Sequence, residues 1–226
     1  MTSNPWDRRI ERARKLIAEY PAAAELLAFY AEIARFQKGV YDALAASPGP
    51  LESALLDPYL PPLRALVSRI APSPPDPAAG EPFLRRALLQ PYTELQARRS
   101  AVATGVAAPT CPFCGEKPQA AILREEGDGG KRWLICSLCS TEWEFRRVLC
   151  PGCGEESLDR LPVYKAAQFE HVRLEACDTC RVYVKSFDLT RNALAVPPVD
   201  DLATIPLNIW AEENGYTRLQ PNLLGM

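Results

Sequence analysis

The first hundred residues place apolar side chains with the period of an α-helix. Between Leu26 and Leu44 these side chains recur at steps of three and four, which aligns them along one side of a single helix. The stripe consists of Leu26, Phe29, Ile33, Phe36, Val40 and Leu44. We interpret it as the core-facing side of the central helix in an N-terminal bundle, rather than as a docking surface.

Prolines and capping residues predict where the helices of this half begin and end. Ser3 or Asn4 can cap a first helix that has Pro5 at its first position and runs towards Tyr20. Pro21 can open the second helix. Further boundaries follow from the same signals: a break at Ser47-Pro48-Gly49-Pro50, shorter helices at 60–71 and 82–100, a proline-rich connector from Pro72 to Pro77, and a short link at 101–110.

The second half of the chain changes to short runs that are typical of strands. Thr141 to Phe145 and Val182 to Phe187 are rich in aromatic and branched residues, which suit a pleated surface. Gly127-Asp128-Gly129-Gly130 lies between two candidate strands and predicts a hairpin turn. A last helix is predicted near 201–214. Helices followed by strands predict an α+β fold.

Composition limits the classes of protein to which this chain can belong. With 226 residues, of which 47% are hydrophobic and 24% charged, the chain is long enough for two domains. It has no apolar run long enough to cross a bilayer, so we expect a cytoplasmic protein without membrane insertion. The net charge of −2 argues against nucleic acid as the partner, because duplex binding usually needs a basic surface.

The most specific chemical signal is the placement of the cysteines. All eight belong to Cys-x-x-Cys pairs within one segment of the second half. Two intervening residues let a tight turn aim both sulfurs at one point, and two such turns complete a tetrahedron around a metal ion. We therefore predict eight metal ligands: Cys111, Cys114, Cys136, Cys139, Cys150, Cys153, Cys177 and Cys180.

The four pairs alternate between two forms. Cys111-Pro112-Phe113-Cys114-Gly115 and Cys150-Pro151-Gly152-Cys153-Gly154 share a proline that presets the turn and a glycine that closes it, whereas the other two pairs lack both residues. Arg132 and Arg173 each stand four residues before the first cysteine of a plain pair. We interpret this order as an internal duplication, in which each unit resembles a small zinc ribbon or rubredoxin.

The favoured assignment gives each unit one metal ion, Fe or Zn, bound by its own four cysteines. The second pair follows the first after 21 residues in one unit and after 23 in the other, and 10 residues separate the two units. Interleaved pairing stays open, and four thiolates suit zinc and a single iron about equally. Modules of about forty residues bury little apolar area, so metal binding is expected to supply part of their folding free energy.

A disulfide framework is the main alternative for the cysteines. It would need an oxidising compartment, but residues 7–15 are charged where a secretory signal would be apolar. Covalent haem attachment is excluded because no pair is followed by histidine.

No catalytic constellation is visible elsewhere, and we expect a protein that is not an enzyme. The single histidine, His171, is expected in a strand with a surface or structural role. Arg146 and Arg147, next to Trp143, are the best candidates for contact with a partner, since arginine and tryptophan dominate binding hot spots. We favour the simpler interpretation, in which Trp143 is buried and both arginines are solvated.

Three strings in the second half resemble the FdhE family of formate dehydrogenase accessory proteins. The first runs from Arg132 to Gly154 and contains Arg132-Trp133-Leu134-Ile135-Cys136-Ser137-Leu138-Cys139. The second is Arg173-Leu174-Glu175-Ala176-Cys177-Asp178-Thr179-Cys180, and the third comprises Trp210 to Tyr216 with Pro221-Asn222-Leu223-Leu224-Gly225. The resemblance covers about half of the chain, from Cys111 onward.

The resemblance implies an accessory role without turnover. It implies a cytoplasmic protein that acts on the catalytic subunit of a respiratory formate dehydrogenase and is associated with rubredoxin-like iron. Two alternatives stay open: a redox protein in which the iron changes valence, and a zinc-ribbon nucleic-acid binder. The oligomeric state is left open.

We therefore predict four segments. A helical domain occupies residues 1–104, a first four-cysteine module 105–149, a second module 150–199, and a C-terminal helix and tail 200–226.

Overall fold

The computed structural model describes residues 4–47, 52–71, 77–101, 108–126 and 129–226. They belong to two compact units, Met1–Ala101 and Val102–Met226. Several sequence predictions lie wholly or partly outside the described residues: the Ser3 cap, the break at 48–50, most of the connector at 72–76, the link at 102–107, and hairpin residues 127 and 128.

The first unit is helical, as predicted. Its helices are α1 (Pro5–Glu19), α2 (Ala24–Ala46), α3 (Leu60–Ile70) and α4 (Pro77–Arg99), with 3-10 turns at Pro21–Ala23 and Ser53–Tyr59. The Asn4 side chain caps α1 by accepting a hydrogen bond from the Trp6 amide at 3.0 Å. Helix α4 begins at Pro77, earlier than the predicted residue 82. Proline lacks an N–H and therefore suits the first position of a helix.

The buried side of α2 differs in part from the predicted stripe. Ile33, Val40 and Leu44 are buried, but the other three members of the stripe, Leu26, Phe29 and Phe36, are only half-buried. The remaining buried positions are Leu27, Tyr30, Ala31, Ala34 and Gln37. Helix α2 packs against both α1 and α4, so it buries a wider face than a single stripe.

Two buried polar contacts connect helices of this unit. Pro91, inside α4, has no N–H to donate to the carbonyl of Ala87 four residues earlier. The side chain of Gln37, from α2, donates to that carbonyl at 2.8 Å. Arg9 of α1 and Glu94 of α4 form a buried ion pair at 2.9 Å.

The second unit contains one mixed sheet of seven strands. These are β1 (Pro118–Glu126), β2 (Gly129–Cys136), β3 (Glu142–Glu144), β4 (Val163–Lys165), β5 (Val172–Ala176), β6 (Val182–Asp188) and β7 (Thr217–Arg218). The predicted hairpin is confirmed at its strands, since β1 pairs antiparallel with β2 up to Glu126 and Gly129. The aromatic runs that follow the plain cysteine pairs form β3 and β6.

The sheet repeats one arrangement twice. Strands β1, β2 and β3 lie side by side in chain order, and β4, β5 and β6 do the same. The two halves meet where β1 pairs in parallel with β6, and β7 also pairs with β6. The sequence suggested two separate small modules, whereas the structure unites their strands in one sheet.

The C-terminal helix is divided in two. Helices α5 (Pro197–Ala203) and α6 (Ile205–Glu213) replace the single helix predicted near 201–214. Thr204 leaves the helical conformation between them, and Pro206 in the first turn of α6 cannot donate to the preceding turn.

A buried lysine ties this region to the sheet. The Nζ of Lys185 on β6 donates to the carbonyls of Asp201 and Thr204 at 3.0 Å each. The Asp201 carboxylate lies 3.0 Å from Lys185 and also accepts hydrogen bonds from Arg218 and Asn222. Burial lowers the pKa of Lys185 to about 8.

In the part of the chain that the structure describes, no helix is both long enough and apolar enough to span a bilayer.

Candidate metal centres

The first four cysteines meet at one end of the β1–β2 hairpin. Cys111 and Cys114 lie in the turn before β1, Cys136 is the last residue of β2, and Cys139 lies in the turn before β3. Cys111 and Cys139 sulfurs are 3.5 Å apart, and the Cys114 sulfur lies 3.3 Å from that of Cys136 and 3.6 Å from that of Cys139. We call this group cluster 1.

The last four cysteines repeat this arrangement in the second half of the sheet. Cys150 and Cys153 precede β4, Cys177 directly follows β5, and Cys180 lies in the turn before β6. The Cys150–Cys180 and Cys153–Cys177 sulfur distances are both 3.7 Å. We call this group cluster 2. In each cluster the four sulfurs lie within 4.8 Å of one another, so the structure groups consecutive pairs and does not interleave them.

All four turns have the same backbone geometry. In each turn, the amide of the first cysteine donates to the carbonyl five residues later, at 2.8 to 2.9 Å. The residue after the second cysteine has a positive φ in every case: Gly115, Ser140, Gly154 and Arg181. The sequence indicated a positive φ only at the two glycines, because residues with a side chain rarely adopt it. Ser140 and Arg181 adopt it nevertheless.

Arg181 offsets this strain through contacts to the C-terminal region. Its guanidinium donates to the carbonyls of Asn214 and Gly215, at the end of α6, and lies 4.0 Å from the ring centre of Tyr216. A cation at a helix C-terminus is favourable because the last carbonyls carry partial negative charge. Cluster 2 is thereby connected to α6 through the residue that follows its last cysteine.

The geometry of both clusters fits a tetrahedral ion. Sulfurs about 2.3 Å from a central Zn²⁺ lie about 3.8 Å from one another in a regular tetrahedron. The shortest sulfur distances, 3.3 to 3.7 Å, are close to that value. The donor set is four sulfurs in each case, and the two clusters could each hold a metal ion.

Backbone amides surround the sulfurs and support negative charge on them. The amides of Leu138 and Cys139 donate to the Cys136 sulfur at 3.4 and 3.5 Å, and the Gly152 amide donates to the Cys150 sulfur at 3.3 Å. Hydrogen bonding with the other three thiols of cluster 1 lowers the pKa of Cys111 and raises that of Cys136. A cation between the sulfurs would release the shared protons.

The two clusters differ in solvent exposure. Three cysteines of cluster 1 are buried and Cys114 is half-buried, whereas in cluster 2 Cys153 is exposed and Cys180 half-buried. An ion in cluster 2 would therefore lie nearer to solvent.

A half-buried carboxylate, that of Glu175, connects the two arginines that the sequence places at equivalent positions. The Nη2 of Arg132 lies 2.7 Å from Glu175 Oε2, and Arg173 donates to Glu175 Oε1 at 2.8 and 3.0 Å. Burial raises the pKa of Glu175, and the two arginines more than reverse this effect, so its pKa lies below its usual value. The sequence signalled the arginines but not their shared acceptor.

The remaining candidate residues have structural surroundings. His171 lies in the turn just before β5, not in the predicted strand, and its Nε2 is 3.2 Å from Asp200 Oδ1. Trp143 is buried and donates to the carbonyl of Ala108 at 2.8 Å. Arg146 is exposed and forms two hydrogen bonds with Glu156, while exposed Arg147 donates to the carbonyl of Gly130 at 3.3 Å.

Two four-cysteine clusters on one sheet, each built from a pair of turns, define a protein of the zinc-ribbon and rubredoxin-like class. Two family models match this region: "FdhE, central domain" over residues 110–147 and "FdhE, C-terminal domain" over residues 148–224, together about half of the chain. The chain belongs to the FdhE family.

Relatives and a solved structure are similar to the chain beyond this match. A "Protein FdhE homolog" of Pseudomonas aeruginosa is 38% identical over 159 residues, covering 66% of this chain and 50% of the relative. Another, of Aquifex aeolicus, is 34% identical over 116 residues, covering 51% and 41%. The chain spans half or less of the length of these two relatives.

The crystal structure of the FdhE protein from Pseudomonas aeruginosa has the same fold. The two structures superpose with a TM-score of 0.75 at 24% sequence identity. The match covers 99% of this chain and 97% of the Pseudomonas aeruginosa chain. The similarity of fold therefore includes the N-terminal helical unit as well as the sheet.

Proposed function

We propose that this protein is an accessory factor that binds the catalytic subunit of a respiratory formate dehydrogenase in the cytoplasm and supports its assembly, without catalysing a reaction itself. The observation that carries the proposal is the pair of complete four-sulfur clusters in a chain of the FdhE family. Family membership supports the link to formate dehydrogenase, and the closed donor sets support metal as part of the fold.

The proposal assigns one ion, Fe or Zn, to each cluster. Cys111, Cys114, Cys136 and Cys139 hold the first, and the second is held by the other four cysteines, Cys150, Cys153, Cys177 and Cys180. Each ion fixes the two turns at the end of a three-stranded half-sheet. It also neutralises part of the thiolate charge, so that the turns can pack against the strands.

The proposal keeps the division into a helical domain up to residue 104, modules at 105–149 and 150–199, and a C-terminal segment from residue 200. The topology supports the two modules, since each half of the sheet contains one cluster and three strands in the same order.

The test is capture of the client by the full chain. The tagged protein is purified anaerobically from its native host, and bound proteins and metals are determined in the same sample. We expect the formate dehydrogenase catalytic subunit with two metal ions per chain. Recovery of the intact, metal-loaded chain without that subunit would contradict the proposal.

A second candidate function is supported by the exposure of Cys153. If the ions are iron, an exposed sulfur in cluster 2 offers a short route for an electron from a partner. Reversible bleaching of a visible thiolate-to-iron band on reduction would favour this redox role. A colourless, zinc-loaded protein from the native host would exclude it.

A further inference from the structure

A pocket of about 200 Å³ opens beside cluster 2. One wall is the segment that joins the two half-sheets, from Arg147 to Pro151, and another is formed by strands β5 and β6. Sites for drug-sized ligands measure about 300–1,000 Å³, so this pocket is better suited to anchoring a side chain than to enclosing a whole cofactor.

The rim of the pocket leaves large apolar side chains in solvent. Leu158 is 72% exposed and Val163 is 48% exposed, and both line the pocket together with half-buried Val148, Leu149 and Leu161. Single exposed apolar residues are common on protein surfaces, but their clustering around a concave site marks a place where a partner can bury them.

The charged residues of the pocket are predominantly basic. Arg132, Arg147 and Arg173 line it, and Glu175 is the only acidic residue among the described lining residues. Glu175 already accepts hydrogen bonds from both Arg132 and Arg173. Arg147 is exposed and donates to a backbone carbonyl, that of Gly130, at 3.3 Å. The site therefore favours a ligand that brings its own carboxylate.

We propose that this pocket is the docking site for a segment of the client that places an apolar side chain against Leu158 and Val163 and a neighbouring carboxylate against Arg147. The inference rests on the proposed function, since it specifies where the client binds. In protein interfaces, buried apolar contacts contribute affinity, and charged pairs at the rim fix the orientation of the partner.

A simpler role for the arginines is to balance the thiolate charge of cluster 2, whose residues Cys150 and Cys177 also line the pocket. That role predicts that loss of Arg147 weakens metal retention. Docking predicts that metal retention stays unchanged while the client is lost. Binding and metal content must therefore be measured on the same samples.

The experiment titrates the full-length, metal-loaded chain with the purified catalytic subunit of formate dehydrogenase. The pocket variants are Leu158→Asp and Arg147→Glu. Two matched controls lie outside the pocket: Leu194→Asp, at a leucine that is 68% exposed, and Arg146→Glu, at the adjacent exposed arginine. All four positions are exposed, so each variant is expected to fold with two metals.

Each pocket variant is expected to bind about tenfold more weakly than the wild type, and the controls within about twofold of it. Wild-type affinity in both pocket variants would overturn the docking site while leaving the proposed function intact. If Arg147→Glu loses metal in proportion to the loss of client binding, the docking site is also overturned. That result would show that Arg147 balances the thiolate charge of cluster 2. A wild-type chain that does not bind the subunit would contradict the proposed function, and the docking site with it.

Discussion

Arg132 and Glu175 form an ion pair, 2.7 Å long, that joins the two halves of the sheet. Arg132 is on β2 and Glu175 on β5, so each half contributes one partner. Arg173, which corresponds to Arg132 in the second half, binds the other oxygen of the same carboxylate. Leu134 occupies the position equivalent to Glu175 in the first half, so the two arginines share one acceptor.

The first prediction concerns this carboxylate. Glu175→Ala leaves buried Arg132 and half-buried Arg173 without the carboxylate that they share, and we expect it to lower the free energy of unfolding by about 3 kcal/mol. Chemical denaturation of the metal-loaded protein measures the change.

The control for this experiment is Glu156→Ala, which removes the exposed partner of Arg146 and should cost less than about 1 kcal/mol. A Glu175→Ala variant as stable as this control would show that the ion pair does not hold the half-sheets together.

The second prediction concerns the turn of cluster 2. A Cβ at Gly152 would lie 2.9 Å from the Val182 side chain and 3.4 Å from the Cys180 sulfur. We expect Gly152→Ala to push these groups apart, so that cluster 2 loses its metal to a chromophoric chelator faster than in the wild type. Phe113 stands at the equivalent position in cluster 1, which shows that the crowding is specific to cluster 2.

Gly39→Ala is the matched control, because a Cβ at Gly39, inside α2, meets no heavy atom within 4 Å. Alanine favours the helix there by about 0.5–1 kcal/mol and should leave metal release unchanged. Equal chelation rates for Gly152→Ala and Gly39→Ala would contradict the steric argument.

The sequence could predict the parts of the fold that local chemistry determines. Capping at Asn4, the β1–β2 hairpin and the cysteine turns all follow from residues close together in the chain. It could not predict the parallel pairing of β1 with β6, because that contact depends on how two similar half-sheets meet in space. The split at Thr204 was missed, although Pro206, which suits the first turn of a helix, is a local signal for it.

The candidate sites show the same division between local and long-range information. Cys-x-x-Cys spacing identified every cysteine of both clusters, because two turns suffice to build each group. The residue types at positions 140 and 181, serine and arginine, gave no indication that these residues have a positive φ. The burial of Lys185 was also not predicted, since its acceptors are the carbonyls of Asp201 and Thr204, in a different element of the fold.

The third prediction concerns Gln37 and Pro91 in the helical unit. Gln37→Ala removes the donor to the Ala87 carbonyl and should cost about 1–3 kcal/mol, because that carbonyl is left buried without a partner. Pro91→Ala restores an N–H that can donate to the same carbonyl. In a double-mutant cycle, the cost of Gln37→Ala should therefore be smaller in the Pro91→Ala background, and strictly additive changes would contradict this reasoning.

The fourth prediction is the pH dependence contributed by Lys185. Its pKa is about 8 in the folded protein, against a usual value of 10.5, because burial disfavours the charged form. Between these two pH values the unfolded chain binds the proton that folded Lys185 has lost, so folding becomes more favourable as pH rises. Below pH 8 both states keep the proton and this contribution is constant.

Urea denaturation of the wild type and Lys185→Met at several pH values from 7 to 10 measures this effect. The stability of the wild type should rise relative to that of the variant as the pH increases above 8. Parallel curves over the whole range would show that the lysine keeps its usual pKa.

The central claim is that consecutive cysteine pairs bind two separate ions, and metal counting by native mass spectrometry tests it most directly. The wild type should contain two ions per chain. A variant with Cys114→Ser and Cys136→Ser damages only cluster 1 and should keep one ion. If the pairs were interleaved, the same two changes would damage both sites and leave none, and that result would contradict the account.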